Sequence, residues 1–194
     1  MKKILIICLT CLFVVTGCSS EDKEEKAKTK LISNEIYGDP INPNETQTKL
    51  FNKLSKAVKD NKADSKVVEL VAANFCYDFF NLRNKKSSED IGGLAYIRDA
   101  DLDNFESNAR LTYYRFYNEI EKDYSKSDLP SIESHTIENV VENKVTFDDV
   151  EFDGYIVELN LVYRDSEIDT DKLKTEVAIK LVKLGDKFYV LGVE

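Results

Sequence analysis

From residue 47 onward the apolar positions follow two successive rhythms, first steps of three and four, then steps of two. Leu50, Phe51, Leu54, Ala57 and Val58 recur at helical spacing and predict a short helix over about 48–60. A second helix is predicted from Asp64 or Ser65, both good N-caps, to about Asn84, with Val67, Val68, Val71, Ala72, Phe75, Phe79 and Leu82 as its apolar stripe. Residues 87–99 form a connection broken by Gly92-Gly93, with a short apolar piece at Leu94–Ile97. A third helix is predicted from near Asp101 or Asp103 to about Tyr124. Leu102, Phe105, Ala109, Thr112, Tyr113, Phe116, Tyr117, Ile120 and Tyr124 mark its buried face, and Pro130 closes the helical half.

The period then changes. Residues 132–147 alternate weakly. Tyr155, Val157, Leu159, Leu161 and Tyr163 share one face of the next strand, and Leu173, Thr175, Val177, Ile179 and Leu181 share one face of a third. Gly185-Asp186 turns the chain into a last strand over 188–193. Four consecutive strands joined by short connections read as an antiparallel meander. Helices first and strands after predict an α+β fold, with the N-terminal helices packed on one face of a curved four-stranded antiparallel sheet.

The first 46 residues follow neither rhythm. Lys2 and Lys3 precede a 12-residue apolar run, Ile4 to Val15. As a helix that run would reach roughly 18 Å, against about 30 Å of bilayer hydrocarbon, so it reads as a secretory h-region and not a membrane span. Residues 18–46 carry mixed charge, interrupted by Pro40 and Pro43, and are expected to act as a flexible tether. Leu31, Ile32, Ile36 and Tyr37 are the residues in it that could dock onto the domain. The domain itself is expected over 47–194.

Charge and cysteine content narrow the function. Lys and Arg number 27 against 36 Asp and Glu, for a net charge of −9, which argues against a nucleic-acid partner. One His and four Cys are too few for a structural zinc site, and no cofactor is implied. Cys8 and Cys11 lie in the apolar run, which leaves Cys76 alone in the domain, so no intramolecular disulfide is expected.

Val15-Thr16-Gly17-Cys18 resembles the bacterial lipobox: an aliphatic residue, two small ones, then Cys. The resemblance implies cleavage after Gly17, a diacylglyceryl thioether on Cys18, and attachment to the lipid bilayer at the outer face of the bacterial cytoplasmic membrane. Two acyl chains hold a protein stably where one does not. A plain signal peptide cut near Gly17 is the alternative. The Lys-, Asn-, Asp- and Ile-rich composition resembles that of lipoproteins of low-GC Gram-positive bacteria. Three helices followed by four long strands resemble the nuclear transport factor two-like family over about 64–194, with the Gly92-Gly93 break and the aromatic third helix in support. That resemblance implies a cone whose sheet wraps a long helix around a pocket. A cystatin-like meander is the nearest competitor, but it uses one helix and not three.

Candidate chemistry is sparse. Members of the resembled family that are enzymes place a His or Asp base in the cone. His135, on the first strand with Ile137, Val141 and Val145, could imitate that with a tyrosine partner, or be an ordinary rim histidine. Tyr96, Tyr113, Tyr114 and Tyr117 either line a cavity or close the core. Asp165, Glu167, Asp169 and Asp171 faintly resemble a calcium loop, but its required glycine is Thr170, and a solvated acidic hairpin is the alternative. Cys76, between Phe75 and Tyr77, reads as a buried hydrophobe. No nucleophile elbow, zinc-protease helix or phosphate loop occurs. The expectation is a non-catalytic binding or accessory module for a small ligand or envelope protein, with Tyr96, Tyr113, Tyr117 and His135 as candidate pocket lining. A structural surface spacer, or a pocket enzyme using His135 as base, are the alternatives.

Overall fold

The computed structural model describes residues 29–147, 149–169 and 173–194. The apolar run Ile4–Val15 and the expected cleavage and anchor positions Gly17 and Cys18 lie outside the described residues, as do Thr170, Asp171 and the side chain of Phe116. The architecture is α+β, with four helices and a four-stranded antiparallel sheet in the order β1-β2-β3-β4. The strands are β1 (Ile132–Phe147), β2 (Val150–Tyr163), β3 (Glu176–Leu184) and β4 (Lys187–Val193).

Helix α2 (Asp64–Phe79) is the centre of the molecule. From Val67 to Tyr77 every residue but Glu69 is buried, so the helix needs cover on all sides and not along one stripe. It touches all four strands on one side and α1 (Glu45–Lys59) on another. Aromatic rings from the third helical segment complete the cover: Phe105 meets Phe75, and Tyr113 and Tyr114 meet Phe79. Tyr155, Val157, Leu159 and Leu161 of β2, with Val177, Ile179 and Leu181 of β3, are buried against this helix layer, as the alternation predicts.

Three expectations are corrected. The second helix stops at Phe79, five residues early, and its N-cap position is Ala63, which makes no side-chain capping bond. The third helix is two: α3 (Leu102–Leu111) and α4 (Tyr117–Asp123), separated by Thr112 with ψ −97° and a 3₁₀ turn over Tyr114–Phe116. On β1 an irregularity between Ile137 and Asn139 reverses the side-chain parity. His135 and Ile137 lie opposite the buried Leu161 and Leu159, but Val140, and not Val141, lies opposite the buried Val157. Val141 is 42% exposed, and it and Val145 leave the face that His135 occupies.

The segment over 30–44, expected as the distal part of the tether, runs along α1 and into the core. Asn52 accepts from the Ile32 amide at 2.7 Å and donates to the Lys30 carbonyl at 2.8 Å, and Ser55 donates to the Ile32 carbonyl. Tyr37 is 2% exposed, stacks on Tyr96 and accepts from the Phe188 amide at 3.0 Å. Asn44 then caps α1 through a capping box with Gln47. Leu31, Ile36 and Tyr37, three of the four residues that the sequence offers for docking, are those that meet the core, while most of the polar anchors sit on α1 and not in the segment.

Candidate functional site

A groove of about 1070 Å³ opens between α3, the turn that follows it, the β2–β3 connection and β4. Phe79, Phe80, Phe105 and Tyr113 give it an aromatic base, and Ile97, Ala109, Ile120, Leu173, Val190 and Val193 extend the apolar lining. Asn108, Thr112, Arg115, Asp169 and Lys174 supply the polar groups. An apolar concavity with a few polar groups at its edge is the usual form of a small-ligand site.

The base of the groove is built by the end of α2. The last carbonyls of a helix have no partner within it. Here side chains from other elements take them: Gln47 donates to Tyr77 O, Tyr114 to Phe79 O and Tyr113 to Phe80 O, each at 2.8 Å. This arrangement accounts for the broken third helix. Adjacent residues on a continuous helix point about 100° apart. Tyr113 and Tyr114 both reach consecutive carbonyls of one neighbour, and the backbone at Thr112 departs from helical geometry to allow it.

Of the sequence-predicted pocket residues, only Tyr113 lines this groove, and it does so with its hydroxyl already bonded. Tyr96 is in the core between Tyr37 and Phe75. Tyr117 is fully buried and donates to the Lys85 carbonyl at 3.0 Å. Burial pushes the phenols of Tyr96, Tyr113 and Tyr114 above their ordinary range, because the phenolate would lose its hydration.

The Gly92-Gly93 break packs against α2. Gly92 donates to the Tyr114 hydroxyl at 2.8 Å, and Gly93 donates to Asp78 at 2.7 Å. Asp78 also holds the buried Lys85 ammonium at 2.8 Å. A Cβ on Gly92 would sit 2.0 Å from the Asp78 carbonyl oxygen, and Gly93 has φ +82°, so both positions need glycine.

His135 lies elsewhere, in a second groove between α1, α2 and β1. Its Nδ1 is 3.3 Å from the Tyr77 hydroxyl and its ring meets the Tyr77 ring edge-on. Burial, then the nearby Lys53 charge, lowers its pKa, and among the described residues no carboxylate is hydrogen-bonded to it. Cys76 is fully buried and desolvation raises its thiol pKa, which suits packing and not nucleophilic attack. Among the described residues no group of three His, Cys, Asp or Glu side chains could hold a metal ion, and no helix is long and apolar enough to cross a membrane.

Phe79, Phe80, Phe105, Ile168, Leu173 and Lys174 were missed as site residues, and Asp169 was singled out only as part of an acidic loop. Phe79 and Phe105 appear in the sequence as helix stripe, and their rings meet only once α2 and α3 pack together. No protein-family model, curated protein or solved structure matches this chain.

Proposed function

We propose that the chain is a lipoprotein anchored through Cys18 to the outer face of the bacterial cytoplasmic membrane, and that its α+β domain is a non-catalytic binding module of the nuclear transport factor two-like, cone-shaped kind. The ligand is a small, mainly apolar molecule, or an apolar segment of an envelope partner, held in the groove over Phe79, Phe80, Phe105 and Tyr113. The observation that carries this reading is the aromatic groove itself, a largely apolar concavity of about 1070 Å³ beside α3 and β4. Apolar surface of that extent favours association by removing area from water, about 25 cal/mol per Å². The cone assignment is supported by one central helix touching all four strands. The non-catalytic assignment is supported by the tyrosine hydroxyls being bonded to backbone carbonyls, and by His135 lining a different groove, where its hydrogen-bond partner among the described residues is the Tyr77 hydroxyl and not a carboxylate.

The test uses the absence of tryptophan in the chain. Thr112→Trp places a single indole on the exposed wall of the groove, and Thr136→Trp places one at an exposed position of β1. With the apolar probe N-phenyl-1-naphthylamine, saturable energy transfer at one probe per chain is expected, more efficient for Thr112→Trp than for Thr136→Trp. Equal transfer in both, or none in either, refutes the groove as a binding site.

A further inference from the structure

We propose that the second groove, between α1, α2 and β1, is the face by which the domain lies against an anionic phospholipid surface. The inference rests on the lipid-anchor reading of Cys18. It starts from an inversion of charge. The chain as a whole is at −9, yet this groove of about 500 Å³ is rimmed by Lys53, Lys56, Lys62 and Lys66, against Asp60 and Glu69. Among the described residues Lys53, Lys56 and Lys62 make no ion pair. Three nearby carboxylates pair with other lysines: Glu45 with Lys49, Glu69 with Lys66, and Asp64 with Lys183, which leaves Asp60 as the rim carboxylate set against Lys53, Lys56 and Lys62.

The four lysines are exposed and are spread along an apolar floor that includes Leu50, Leu70 and Ile137. Lysine stems cover apolar surface while their ammonium groups reach outward. Charges spread in that way match an array of phosphate headgroups better than one small anion, which needs donors converging on a point.

The path of the chain points the same way. The backbone at Lys30 and Ile32 is held by Asn52 and Ser55, the residues just before Lys53 and Lys56 on α1. The chain therefore leaves the domain beside the lysine face, about 100° around the same helix. From Cys18 to Lys30 is twelve residues, which reach at most about 43 Å. An anchor at Cys18 keeps this groove close to the bilayer. Each lysine brought to an anionic surface favours the docked state by about fivefold, so three give about a hundredfold, and the effect is lost when salt shortens the screening length.

The experiment reconstitutes the full lipidated chain into phosphatidylcholine vesicles, with or without a third phosphatidylglycerol. Lysine acylation by an N-hydroxysuccinimide ester is mapped by mass spectrometry, with Lys144 and Lys180 as references. The expected result is a fall of about tenfold or more in acylation of Lys53, Lys56 and Lys62 on the anionic vesicles, reversed by molar salt. Equal acylation on both vesicles, with the chain retained on both, overturns the proposal. Protection on phosphatidylcholine by added inorganic phosphate alone makes the groove a small-anion site and also overturns it. Loss of the chain from both vesicles, with Cys18→Ser no different from wild type, overturns the anchor reading and takes the docking proposal with it.

Discussion

Tyr37 is the residue through which the N-terminal segment joins the domain, and its replacement gives a graded test of that junction. The ring is 2% exposed, is stacked 5.5 Å from Tyr96 and has Lys187 Nζ 5.5 Å above it. Truncation to alanine removes a fully buried aromatic side chain and leaves a cavity, at a cost of about 4 kcal/mol. For a domain of this size that corresponds to a fall in Tm of about 8–16 °C. Tyr37→Phe keeps the packing but leaves the Phe188 amide, which is buried, without its acceptor, and costs about 1–3 kcal/mol. Urea unfolding followed by circular dichroism reads both, with an unchanged m-value showing that the unfolded state is comparable. The order wild type, Phe, Ala is expected. An alanine variant within about 0.5 kcal/mol of wild type would mean that 29–44 is a tether after all, and that the core begins at α1.

Gly92→Ala is expected to abolish folding or lower stability by more than about 4 kcal/mol, since its Cβ meets backbone 2.0 Å away, while Gly192→Ala, with open space around it, stays near wild type in the same thermal melt. Alkaline stability follows from the phenols. Tyr37, Tyr96, Tyr113 and Tyr114 have raised pKa values in the folded chain, so their contribution is complete below the unfolded value of about 10 and is lost as pH climbs above it. With ten tyrosines and no tryptophan, tyrosinate absorbance reports this directly. The buried phenols should ionise only with unfolding, whereas a single step for all ten near pH 10 contradicts the burial.

Local pattern alone carried the class of the fold. Steps of three and four up to residue 124, then steps of two from residue 155, are enough for α+β. Short connections between consecutive strands are enough for an antiparallel meander, because side-chain period and loop length are local properties of the chain. The lipobox resemblance is likewise a matter of a few contiguous residues. What the sequence could not show depends on groups far apart in it. The end of α2 is decided by Gln47, Tyr113 and Tyr114, which reach its carbonyls from 30 to 35 positions away. The break at Thr112 follows from those same bonds, which override helical propensity once the two segments pack. The parity of β1 turns on one extra residue that only pairing with β2 reveals. Tyr37, which the sequence offers as a residue that could dock, is fixed in the core by its stack on Tyr96 and by the amide of Phe188, 151 residues later. The groove exists because Phe79 and Phe105, each reading as plain helix stripe, come to face one another when α2 and α3 pack, with β4 closing the side. Concavity is a property of packed surfaces, and no periodicity along a single segment encodes it.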